Sequence, residues 1–188
     1  MKTTRFLILS LSLLLLPFGQ TWADSYENTL QVFRDAGESR AFFDNAYGYA
    51  VFPTIGKAGI VLGGAYGEGR VYEQGRHVGD TNMTQVTIGF QLGGQAYSQI
   101  IFFEDERALR EFTGGNFEFG AQASAVAITA GASAGAGTSG ASAGASGTQR
   151  HATTVGNYYR GMAVFTVAKG GLMYEASIGG QKFSYRPR

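Results

Sequence analysis

The chain has 188 residues, a formal net charge of +1, 44% hydrophobic content and no cysteine. That is material for one packed core, and it excludes a disulfide-stapled scaffold, a lipid attached through cysteine, and a global basic field that would recruit nucleic acid. There are 29 glycines, and within strands glycine marks bends, bulges or close backbone approach.

Lys2 and Arg5 precede an apolar run from Phe6 to Phe18, and small Ala23 stands just before Asp24. This is the grammar of a secretory signal cleaved after Ala23. The run is too short for the roughly 20 residues of a bilayer-spanning helix, and nothing later in the chain comes closer. Residues 1–23 are therefore expected to be a leader and 24–188 a single exported domain. Loss of Lys2 and Arg5 takes the formal charge from +1 to −1.

Tyr26, Leu30 and Phe33 recur at helical spacing while Glu27, Arg34 and Asp35 take other faces, which predicts a short amphipathic helix stopped by Gly37. A second turn or two runs from Glu38 to Asn45 with Phe42 and Phe43. Tyr47 to Phe52 then reads as strand, with Pro53 ending it or marking an edge. From Ala58 to Tyr72 the glycines disfavour helix, so one bent strand is expected. A polar turn follows from Gly75 to Asp80. Thr84 to Phe103 reads as two strands bent or paired around Gly93 and Gly94.

Glu104 to Phe112 predicts a helix capped by Asp105, with Leu109 and Phe112 facing inward. Phe117 to Ile128 is ambiguous. Ser133 to Gly147 contains only Gly, Ala, Ser and one Thr, so a flexible loop is expected at about 133–149, with a silk-like strand pair as the alternative. Tyr158 to Ala168 and Leu172 to Tyr185 close the chain as two strands, joined by a tight turn at Lys169, Gly170 and Gly171. QLGGQAYS at Gln91 to Ser98 is echoed by SIGGQKFS at Ser177 to Ser184. The fold class expected from these elements is α+β and mainly antiparallel β, a bent sheet, sandwich or barrel, with short N-terminal helices and one short helix near 105–112.

Two motifs that elsewhere signal chemistry arise here from composition. GASAG at 131–135 and 140–144 fits the nucleophile-elbow pattern, and GAGTSG at 135–140 fits a phosphate-loop pattern. Neither has the flanking strand and helix that such chemistry needs. His77 and His151 have no partner of evident catalytic role, and the acidic run Glu104, Asp105 and Glu106 reads as a helix start. No metal site and no cofactor are expected.

Taken together and in order, AYGYAVFPTIGKAGIVLGGAYGEGRVY, IGFQLGGQAYSQIIFF and GGLMYEASIGGQKF resemble a SYLF domain. The likeness runs roughly from Tyr26 to Phe183 and includes the helix ERALREF and the small-residue stretch after GNFEFG. It implies a lipid-binding module without catalytic activity; relatives bind phosphoinositides in eukaryotes and are exported or lipid-anchored in bacteria. In that family, binding is associated with the amphipathic N-terminal helix and nearby basic residues, among them the lysine of FPxxxKAG, here Lys57. Arg34 and Arg40 lie in the matching helical stretch, with Arg70 and Arg76 as weaker candidates. Phe33, Phe42 and Phe43 are candidates for apolar insertion, unless the helix docks on the sheet and makes them core.

The chain departs from the family in lacking a cysteine for lipid attachment, and nothing in it matches the eukaryotic partner domain that couples the module to actin. Phosphoinositide specificity is therefore not carried over. The resemblance implies reversible, peripheral association with anionic phospholipid membranes in the periplasm or envelope of a bacterium. The alternative is a non-catalytic structural or protein-interaction module with envelope proteins as partners. A hydrolase is the third class, resting on the GASAG matches alone.

Overall fold

The structure is a computed structural model that describes residues 20–59, 62–88, 95–121, 123–128, 158–169 and 178–188, without the side chains of 20–24, 87 and 88. The expected leader to residue 19, the glycine pair at 93 and 94, both GASAG tracts, the small-residue loop and His151 lie outside the described residues. Two helices open the fold, α1 at Gln20–Asp35 and α2 at Gly37–Asn45. Tyr26, Leu30 and Phe33 form the buried stripe of α1, as their spacing predicted.

The break between the helices differs from expectation. Ala36, not Gly37, leaves the helical region, at φ −78 and ψ 125, and Gly37 begins α2. The buried Ser39 hydroxyl donates to the Phe33 carbonyl at 2.5 Å, so a buried helix-end carbonyl is satisfied without a left-handed glycine.

Eight strands follow among the described residues: β1 Gly48–Gly59, β2 Leu62–Glu73, β3 Arg76–Ile88, β4 Gln95–Phe103, β5 Phe117–Glu118, β6 Val126–Ile128, β7 Met162–Lys169 and β8 Lys182–Pro187, with helix α3 at Glu106–Thr113 between β4 and β5. They make one curled half-barrel sheet in the order β5-β8-β3-β2-β1-β4-β7-β6, antiparallel except for β6 against β7. The mainly antiparallel α+β class is as expected, with the two N-terminal helices and the short later helix in place.

Alternation along each strand divides two cores between the two faces. Ala50, Phe52, Ile101, Phe103 and Val164 belong to one, which we call inner, under α3 and the rings of Phe112, Phe119 and Phe183. Val51, Ile100, Phe102, Ala163 and Phe165 belong to the other, outer core, under α1 and α2.

Local elements depart from the sequence expectation at several points. Pro53 neither ends its strand nor lies at an edge: β1 is central, and Pro53 occupies the register shift against both β2 and β4, where its missing N–H costs no ladder bond. Ser98 Oγ donates to its carbonyl at 2.8 Å. The segment from Ala58 to Tyr72 is not one bent strand, because β1 ends at Gly59 and β2 returns against it, pairing Gly59 with Gly63. The polar turn is shorter than expected. Gln74 (φ 47) and Gly75 (φ 80) alone make it, both left-handed as a two-residue hairpin requires, and β3 begins at Arg76.

β3 and β4 are separated by β2 and β1 and do not pair with each other. β8 pairs with β3 and β5 rather than with β7, so the two last strands form no simple hairpin; residues 170–177 between them are outside the described set. α3 is as expected, with Asp105 accepting from Ala108 N at 2.8 Å and Leu109 and Phe112 buried.

The inward positions of β2 explain two of its glycines. A Cβ on Gly67 would stand 2.5 Å from Ile55 Cγ1, and one on Gly69 would stand 2.6 Å from the Phe52 ring. Large inner-core side chains of β1 lie across these two positions, and only glycine leaves room for them.

Candidate functional site

The residues that the sequence nominated for contact are divided by the fold. Phe33 is fully buried and Phe42 nearly so. The Phe42 ring lies 5.5 Å from Phe102, 5.0 Å from Phe165 and 5.2 Å from Tyr158, and Phe43 packs 4.9 Å from Phe102 and 5.7 Å from Tyr49. These rings fasten α1 and α2 to the sheet. In this conformation Phe33 and Phe42 present no surface for insertion.

The cations lie on different faces. Arg34 pairs with Glu27 at 3.2 Å and holds its guanidinium 5.2 Å from the centre of the Phe43 ring. Arg40 is exposed on α2 and has no ion-pair partner among the described residues. Lys57 follows Ile55 by two residues and stands opposite Ala65, both inner-core residues, so it extends the inner face toward the end of β1. It is half-buried and, among the described residues, has no ion-pair partner. Arg70 stacks 4.1 Å from the Tyr26 ring centre. Burial raises the Tyr26 pKa, with Arg70 opposing that shift. Arg76 is exposed at the β2–β3 turn.

Other features were not legible beforehand. A groove of about 270 Å³ runs between the start of α1 and the outer side of β1 and β2, lined by Ser25, Tyr26, Pro53, Thr54, Tyr66 and Glu68. Tyr66 donates to Glu68 Oε1 at 3.0 Å, a bond that raises its pKa. Lys169 Nζ donates to Thr54 Oγ1 at 2.8 Å. Near this end of the sheet three large apolar side chains are exposed, Leu62 at 67%, Tyr66 at 51% and Val86 at 74%. In β2 small Ala65, Gly67 and Gly69 point inward while Leu62 and Tyr66 point out, a facing that the register fixes.

The inner core holds a polar cluster. Gln99 and Gln181, both fully buried, exchange amide hydrogen bonds at 2.9 and 3.1 Å, and Gln181 Nε2 donates to Tyr97 Oη at 3.2 Å. Tyr97 and Phe183 are the aromatic positions of the repeated GGQ segments, and both rings are buried in the inner core. His77 is held by Asp80 Oδ1 and the Gly79 carbonyl, each 3.1 Å from Nε2, and by Arg188 at Nδ1. Among the described residues no three metal-ligating side chains come together, and no helix is long and apolar enough to cross a membrane.

A family model described as Ysc84, Las17-binding protein actin regulator, matches residues 84–188, more than half of the chain. The chain is also similar to Beta cell expansion factor A of Aeromonas veronii, 28% identical over 158 residues that cover 82% of this chain and 51% of the relative. It thus spans about half the length of that curated relative.

Proposed function

Because the chain belongs to the Ysc84, or SYLF, family, we propose that it is a binding module that associates reversibly with anionic phospholipid membranes. In this reading it acts in the cell envelope after export through residues 1–23, and it carries out no catalysis. The observation that bears most weight is Lys57: it occupies the FPxxxKAG position, sits at one end of the sheet, and has no carboxylate partner among the described residues. Arg40 and Arg34 add positive charge on the helical layer, Arg34 with its charge partly answered by Glu27. The buried rings of Phe33 and Phe42 serve by holding the helices in place, so attraction at these positions is electrostatic.

A basic residue near an anionic surface contributes about 1 kcal/mol, and salt screens that contribution. Cosedimentation with vesicles containing phosphatidylglycerol is therefore expected to exceed that with phosphatidylcholine alone, to fall with added salt, and to weaken roughly tenfold in Lys57→Glu. Binding indifferent to head-group charge, salt and Lys57→Glu rejects this reading.

A protein-interaction module is the second reading, because the family description itself names a protein partner. Retention of envelope proteins in the absence of lipid, together with no vesicle binding, favours it.

A further inference from the structure

The sheet register exposes a surface that neither the sequence motifs nor the helical layer suggested. Lys169, Ala96, Gly56, Tyr66, Thr84 and Lys182 form one continuous cross-strand row through β7, β4, β1, β2, β3 and β8. Each strand supplies the residue next to its neighbour's, and the side chains stand on the outer face. Five inter-strand steps of about 4.8 Å place the two lysines at the ends of a strip roughly 24 Å long. The adjoining row pairs Ala58 with Gly64 and Gly64 with Val86, and Leu62 lies beyond it on β2. α1 and α2 cover the outer core farther along the strands, and the strip itself remains exposed.

We propose that this strip, at the same end of the sheet as Lys57, meets the bilayer, with Leu62, Tyr66 and Val86 entering the interfacial region and Lys169 and Lys182 meeting lipid phosphates on either side. This rests on the membrane reading above and assigns it a place. Contiguous exposed apolar side chains mark contact surfaces. Small residues between them at Gly56, Ala58, Gly64 and Ala96 leave Leu62, Tyr66 and Val86 standing clear of their neighbours in the sheet. Tyrosine is suited to the interface, since its ring is apolar and its hydroxyl stays with polar groups. Here that hydroxyl already has an acceptor in Glu68.

Charge decides for a bilayer. Lys169 bonds a neutral hydroxyl, and among the described residues Lys182 pairs with the exposed carboxylate of Glu118 at 3.5 Å, a pair of little strength in water. A long strip with cations at both ends complements an anionic surface.

The test compares the full chain with Leu62→Ser/Tyr66→Ser/Val86→Ser and with Lys169→Gln/Lys182→Gln, on vesicles of phosphatidylglycerol and phosphatidylcholine. All five positions are exposed, so melting temperatures should match the wild type within a few degrees. The triple variant is expected to lose binding at every salt concentration. The double variant should weaken about tenfold or more at low salt and converge on the wild type at high salt. Tyr66→Trp in a Trp22→Phe background carries the single tryptophan on the strip; its emission should shift to the blue on vesicles and be quenched by brominated acyl chains. Wild-type binding that survives the triple substitution, or indole emission from Tyr66→Trp unmoved by vesicles that do bind, overturns the strip and leaves the membrane reading standing. A wild type that ignores every vesicle overturns both, and loss of a soluble partner by the triple variant would then identify the strip as a protein-docking surface.

Discussion

Tyr97 shows how much a single side chain owes to distant neighbours. Its ring sits in the inner core, its hydroxyl accepts from Gln181, and burial pushes its pKa up to about 12, with the Gln181 bond opposing. The folded protein therefore keeps the phenolic proton up to about pH 12, whereas the unfolded chain gives it up near 10. The associated stability is complete below pH 10 and is lost as pH rises from 10 through about 12, amounting to at most roughly 3 kcal/mol. Thermal unfolding followed above pH 10 should show a steeper fall in Tm for the wild type than for Tyr97→Phe; parallel curves contradict it. The aromatic at position 97 was visible in the repeated GGQ segments. Its partner was not, because Gln99 and Gln181 meet across 82 positions of sequence and nothing local marks either as buried. Likewise Lys57 stood out through its motif, whereas Leu62 and Val86 look like ordinary strand residues until the register places them outward.

At the scale of elements, local rules succeeded where a local cause sets the structure. α3 is such a case: Asp105 begins it, the apolar spacing of Leu109 and Phe112 turns it inward, and the side-chain cap is present at 2.8 Å. Asp105→Ala should lower stability by about 1 kcal/mol, while Asp105→Asn should keep most of it. Equal losses of Tm in both variants would show that charge, and not the cap bond, matters. The strands are the contrasting case. Pro53 is consistent with an edge, a strand end or a bulge, and only the simultaneous register shifts against β2 and β4 select the bulge. The run from Ala58 to Tyr72 has the same composition whether it bends or reverses. Pairing of Gly59 with Gly63 decides for reversal.

At the scale of the whole molecule, a single sheet carries a core on each face, so the cores share every backbone ladder between β1, β4 and β7. The two faces should unfold together. Phe33→Ala removes a fully buried ring from the outer core and Phe112→Ala removes one from the inner core; each should cost about 3–5 kcal/mol. Both should lower one common transition, monitored by far- and near-ultraviolet circular dichroism, and two separated transitions would refute the coupling. The sequence by itself determined the class of the fold, helical segments between Tyr26 and Asn45 and near 105–112, and the aromatic strand segments, though not the start of α1 at Gln20 or the break at Ala36, because helix spacing, caps and β-branched or aromatic runs act over a few residues. Only the tertiary structure decided the strand order, the face on which each cation stands, and that Phe33 and Phe42 are core while Leu62, Tyr66 and Val86 are surface. Those outcomes depend on register between strands far apart in the chain, and shifting a strand by one residue exchanges its two faces.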